Sequence, residues 1–157
     1  MNVKFKNSLR VTQIESPSGD SYGLWQLANP FYVWVYDDDL DKVIEIYIPE
    51  NLVTDFVSTP RIAFAYLLFG GFANEAGVLH DALYSDWAAI QCCDLYTREP
   101  FVVTKAWADL VLYAALIECR VSKWKASRMW LAVKLFGGKY FHCTPALPHG
   151  VPHYKDL

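Results

Sequence analysis

The sequence predicts an α+β fold, with a small N-terminal antiparallel sheet followed by a bundle of about four helices. Three observations carry that expectation. Short aromatic and β-branched runs, separated by turn residues, fill the first third of the chain. From Pro60 onward, apolar residues recur at helical spacing between capping residues and paired glycines. The chain has 157 residues, of which 54% are hydrophobic and 20% charged, enough for one domain with its own core and too apolar for intrinsic disorder.

The expected strands are Trp25 to Leu27, Phe31 to Tyr36 and Val43 to Ile48. Asn29-Pro30 marks one turn between them, and Asp37, Asp38, Asp39 and Asp41 mark the next as a solvated turn. In the last run Val43, Glu45 and Tyr47 alternate with Ile44, Ile46 and Ile48, which predicts one buried and one wetter face. Pro49 ends that strand because it has no amide hydrogen for the ladder.

The first expected helix, Arg61 to Phe69, has Pro60 in its first turn and Gly70-Gly71 as its stop. The second runs from Ala73 to about Ala88. Thr104 caps the third, which runs to about Cys119, and Ser122 caps the fourth, which stops at Gly137-Gly138. On the fourth, Trp124, Met129, Trp130, Val133 and Phe136 read as a core-facing stripe. Residues 1–138 thus form a single domain. Residues 139–157 carry Pro145, Pro148 and Pro152 without periodicity and read as an arm.

Charge and cysteine content narrow the function. The net charge is −3 and no basic run occurs, so the footprint of a nucleic-acid binder is missing. Ile62 to Phe72 is too short for a bilayer, and Met1 to Arg10 contains no apolar signal-peptide core, so no membrane insertion is expected. Cys92, Cys93, Cys119 and Cys143 read as free thiols in a reducing compartment. Of the tail histidines His142, His149 and His153, the last two have ligand-like spacing and Cys143 lies near, but without helical periodicity or a second Cys the zinc signal is poor. The common phosphate-binding, nucleophile-elbow and zinc-protease patterns are absent from the sequence.

Two segments hold candidate chemistry. In Ile48 to Arg61, the polar residues Asp55, Ser58 and Arg61 stand among apolar neighbours. They read either as a corner that caps the helix at Pro60 or as one wall of a polar site. In Gly77 to Tyr84, His80 and Tyr84 are four residues apart and share a helix face, and Asp81 points about 100° around. Asp109, on the third helix, is placed to accept a hydrogen bond from His80 if the two helices are antiparallel neighbours. Two readings follow. His80 is a base activating water, with Asp109 orienting it, Tyr84 bracing Asp109 and Asp81 holding a divalent cation such as calcium; or the residues form a buried structural tie between helices.

These residues resemble a family of small phage and prophage proteins grouped as a domain of unknown function. Its members share a corner like that of Thr54, Asp55, Ser58, Pro60 and Arg61, then the H-D-x-L-Y pattern of His80, Asp81, Leu83 and Tyr84. An Asp-containing helix matching Ala108-Asp109 and a helix end matching Val133 to Gly137 follow. The likeness spans Trp25 to Gly138, and departs where Asn51-Leu52 replaces Gly-Phe, Val57 replaces Ala and Thr104-Lys105 replaces a common Ser-Arg pair. The resemblance implies a phage gene product of structural or tail type. The H-D-x-x-Y helix facing an Asp is also similar to the site of secreted calcium-dependent phospholipases, without their calcium-loop glycines and disulfides.

The leading expectation is therefore a virion-associated or assembly protein of the tail or head–tail region, made in the host cytoplasm and binding other phage structural proteins. The alternative is a metal-dependent His/Asp hydrolase acting on lipid or cell envelope. An aromatic share of 16% supports a docking role. Tyr22, Phe31, Tyr140, Phe141 and Tyr154 lie in segments without helical periodicity, where such an interface is expected.

Overall fold

The structure, a computed structural model, describes residues 1–14, 24–54, 73–84 and 90–141. Among these the fold is α+β, built on two antiparallel sheets and three helices. The strands are β1 (Asn2–Phe5), β2 (Val11–Ile14), β3 (Leu24–Leu27), β4 (Phe31–Asp37), β5 (Lys42–Ile48), β6 (Val53–Thr54) and β7 (Gln91–Asp94). The helices are α1 (Asn74–Tyr84), α2 (Lys105–Glu118) and α3 (Lys123–Phe136), and Gly137–Tyr140 adds one 3₁₀ turn. The expected helix at Arg61 to Phe69 lies outside the described residues, as do Asp55, Ser58 and Arg61.

The larger sheet has the order β1-β4-β5-β7 and the smaller β2-β3-β6. In β4 and β5 the pairs Phe31–Ile48, Val33–Ile46 and Val35–Ile44 put the alternating apolar residues on one face, all of them fully buried. Phe5 of β1 stacks on Phe31, with ring centroids 5.7 Å apart. Phe31 is therefore a core ring and not an interface ring.

The opposite face carries Tyr32, Trp34, Glu45 and Tyr47. Here the expected wetter face is sealed at Glu45, which is buried. Arg98 Nη1 donates to its Oε1 at 2.6 Å and Trp34 Nε1 to its Oε2 at 3.0 Å, so both carboxylate oxygens are satisfied.

The sheet is not wholly N-terminal. β7 returns after α1 to pair with β5 at the sheet edge. Its sequence, Gln-Cys-Cys-Asp, contains no β-branched or aromatic residue, so the position is decided by burial of Cys92 and Cys93 beside β5 and not by propensity. Cys93 and Cys119 are free thiols.

The acidic turn also divides. Asp38, Asp39 and Asp41 are exposed, as a solvated turn requires. Asp37 is buried, where it accepts from the backbone amides of Asp39 and Leu40 and from Trp107 Nε1 at 2.8 Å. That last bond ties α2 to the end of β4.

Helix α2 is the central helix, packed against β1, α1 and α3. It buries Trp107, Ala108, Val111, Leu112, Ala115 and Leu116, a wide apolar face that explains its place in the core. Helix α3 differs, burying only Ala126 and Val133. The expected core stripe on α3 is corrected here: Val133 is buried and Met129 and Trp130 are half-buried, but Trp124 is 60% and Phe136 62% exposed. Helical periodicity reveals that residues share a side of the helix but not which side the neighbour covers. Ala126 and Val133 face the interior, and the rings of Trp124 and Phe136 turn outward.

Among the described residues no helix is long and apolar enough to cross a membrane. The domain's contacts continue past residue 138, because Phe141 packs edge-on against Tyr84 at 5.3 Å.

The two helix starts make a paired test. Thr104 accepts a hydrogen bond from Trp107 N at 3.2 Å, whereas Ser122 occupies the equivalent cap position on α3 without a side-chain bond. Thr104→Ala is expected to cost about 1 kcal/mol of unfolding free energy and Ser122→Ala less than about half of that, as read by urea denaturation.

Candidate functional site

The site grows from two facing helices. Helix α1 is buried almost all round, at Ala76, Val78, Leu79, Ala82 and Leu83 as well as at its polar residues His80 and Tyr84. Polar groups in such a helix need partners from the helices around it. Asp109 on α2 supplies one: the Tyr84 hydroxyl donates to its Oδ1. Lys105, one turn earlier on α2, donates to its Oδ2 at 2.8 Å. Both oxygens of the buried carboxylate are thus engaged.

Lys105 does more. Its Nζ also donates to the carbonyl oxygens of Val133 at 3.0 Å and Lys134 at 3.3 Å, in the last turn of α3. The Val133 carbonyl also accepts from the Gly137 amide, and the carbonyls of this last turn carry the negative end of the helix dipole, so an ammonium suits the position. One cluster, Tyr84–Asp109–Lys105, therefore joins α1, α2 and the C-terminus of α3. Sequence reasoning did not select Lys105 as a site residue. The signal was present in its i, i+4 spacing from Asp109 on an apolar helix.

The glycines after α3 acquire a second reason. Gly137 has φ −73°, a conformation open to any residue, so a helix stop does not require glycine there. A Cβ at this position would stand 2.8 Å from the Tyr84 hydroxyl oxygen and 3.1 Å from its Cε1. Gly137 is thus the space into which the phenol fits.

His80 lies beside this cluster and is only 2% exposed. Its ring meets Tyr84 with centroids 4.1 Å apart and planes tilted 37°. The expected His80–Asp109 hydrogen bond is replaced: the phenol of Tyr84 takes the carboxylate oxygen, and His80 Nε2 is buried with no hydrogen-bond partner among the described residues. Burial lowers the His80 pKa to about 4, against the pull of Asp109 and helped by Lys105. Tyr84 moves the other way, raised by burial and then by donating to Asp109, so the phenol stays protonated.

The structure thus brings His80, Tyr84 and Asp109 together, with the Tyr84 hydroxyl donating to Asp109. Asp81 is half-buried on α1, and no group of three or more His, Cys, Asp or Glu among the described residues is placed to hold a metal ion. The arrangement offers a neutral imidazole beside a charged, fully engaged tie.

Fold and cluster together define a small α+β protein whose helices are locked by a buried carboxylate. The chain belongs to the family described as protein of unknown function (DUF1353), whose model matches residues 25–133. No curated protein and no solved structure matches it.

Two expected outcomes test the cluster. Gly137→Ala, which in an open helix would stabilise, should instead destabilise by about 1–3 kcal/mol as the methyl displaces Tyr84, seen as a lower urea midpoint. The second concerns pH. A histidine whose pKa falls from 6.5 unfolded to about 4 folded contributes stability that is full above pH 6.5 and is lost as pH falls toward 4. Wild type should lose about 3 kcal/mol across that window beyond the loss of His80→Gln, as measured by denaturation at each pH.

Proposed function

We propose that this protein is a virion-associated or assembly protein of a bacteriophage, of the tail or head–tail region, that docks on other phage structural proteins. The observation that carries the reading is the outer face of α3. Trp124, Leu131 and Leu135, 60%, 48% and 63% exposed, fall on one side of the helix, opposite buried Ala126 and Val133. A contiguous exposed apolar stripe on a small domain marks an interaction surface. The resemblance in the corner, the H-D-x-L-Y helix and the α3 end supports the phage origin.

The hydrolase reading is less well supported by the geometry. It requires Asp109 to orient His80, but the two oxygens of Asp109 are held by Tyr84 and Lys105. It also requires a basic imidazole, and burial makes His80 a weak base. The cluster reads better as the tie that holds α3 in place to present its outer face.

Quantitative mass spectrometry of purified particles, together with deletion of the gene, tests the proposal. The expected outcome is protein in the particles at fixed stoichiometry, or a collapse in particle yield on deletion. Absence from particles together with normal yield would overturn it.

A further inference from the structure

The charge of this chain is unevenly distributed. Between Glu118 and Asp156 there is no Asp or Glu, yet residues 119–141 hold Arg120, Lys123, Lys125, Arg128, Lys134 and Lys139. Because the whole chain carries −3, this stretch is a cationic surface on an otherwise acidic protein. The cations are scattered between rings and so form no run in the sequence. Helix α3 carries four of them, Lys123, Lys125, Arg128 and Lys134.

Arg128 stands within that stripe, one turn after Trp124 and three residues before Leu131. Its guanidinium lies over the Trp124 ring, with Cζ 4.1 Å from the centroid. It is exposed, and no carboxylate among the described residues pairs with it. Two further rings carry cations on the same stretch: Lys134 Nζ is 4.6 Å from the Trp130 centroid, and Lys139 Nζ is 4.7 Å from that of Tyr140. A guanidinium held over an indole keeps N–H donors for bidentate contact with a carboxylate.

We infer that the outer face of α3 docks in an apolar groove of an acidic protein partner, with Trp124, Leu131 and Leu135 as anchors and the Trp124-stacked Arg128 receiving a partner carboxylate. This rests on the docking role proposed above and specifies the partner's chemistry. The stripe follows the i, i+7, i+11 pattern of a helix laid in a groove, and Trp and Arg are the residue types that dominate such interfaces. Charge selects the partner: an acidic surface meets the cations of this stretch. A lipid bilayer would have to take Arg128 down with the stripe that surrounds it. A nucleic-acid phosphate surface would leave Leu131 and Leu135 without a use.

The test complements the gene deletion with wild type, Arg128→Glu, Arg128→Lys or Trp124→Ala and counts particles. Zero-length carbodiimide cross-linking of the wild-type particles or assembly intermediates, which joins amines to carboxylates, is read in parallel by peptide mass spectrometry. Because these side chains are exposed, melting temperatures of the variants should match wild type, which separates docking from folding. The inference expects at least a tenfold loss of particles with Arg128→Glu and with Trp124→Ala, and a smaller loss with Arg128→Lys. It also expects cross-links from Lys123 or Lys134 to Asp or Glu of one particle protein. If wild type restores particles and Arg128→Glu restores them equally, the inference is overturned while the docking role stands. If deletion has no effect and the protein is absent from particles, the docking role itself fails. Flotation with phosphatidylglycerol vesicles, or a shift of duplex DNA, that Arg128→Glu abolishes while particle yield is unchanged would assign the face to lipid or nucleic acid and overturn the inference.

Discussion

One buried carboxylate determines the arrangement of the helices. Asp109 accepts from Tyr84 of α1 and from Lys105 of its own helix, and Lys105 continues to the last carbonyls of α3. A buried ion is tolerated only when every lone pair and proton is matched, so each of these groups constrains the others. Removing one partner would strand a charge in the interior. The alternative of sliding α3 along α2 would break the Lys105 contacts and drive Gly137 away from the phenol that fills its space. The tie thus sets register as well as contact, which apolar packing alone does weakly.

What the tie holds in place is an unequal helix. The inward side of α3 carries buried Ala126 and Val133 with half-buried Met129 and Trp130, and the opposite side carries exposed Trp124, Leu131 and Leu135. A helix that buries only Ala126 and Val133 gains little from burial, so its position depends on polar tethering. The buried cluster and the outer stripe are in this sense one construction: the first holds the helix that presents the second. His80 fits the same account, since a neutral imidazole packed on the Tyr84 ring completes the interior without adding a charge.

The sheet is organised by a similar rule on its other face. Glu45 sits where alternation predicts contact with solvent, yet Arg98 from the turn after β7 and Trp34 from β4 enclose it. Arg98 has φ 62°, a left-handed conformation unusual for a non-glycine residue, and its salt bridge helps to hold the turn in that shape. Long-range polar pairing thus determines two of the fold's joints, at Glu45 and at Asp109.

By itself the sequence determined the α+β class, the strands β3, β4 and β5, and helices α1, α2 and α3, with Thr104 at the start of α2 and Gly137 at the end of α3. Those signals are local: alternation, capping residues and paired glycines act within a few positions. It also singled out His80, Tyr84 and Asp109, because polar residues on apolar helices are conspicuous. Only the tertiary structure decided who pairs with whom. Asp109 went to Tyr84 and Lys105 instead of His80, β7 formed without strand propensity, and Trp124 and Phe136 turned outward while Phe31 turned in. Each outcome depends on which neighbour competes best for a hydrogen bond or a surface. That competition is between segments far apart in the chain, and no local pattern records its result.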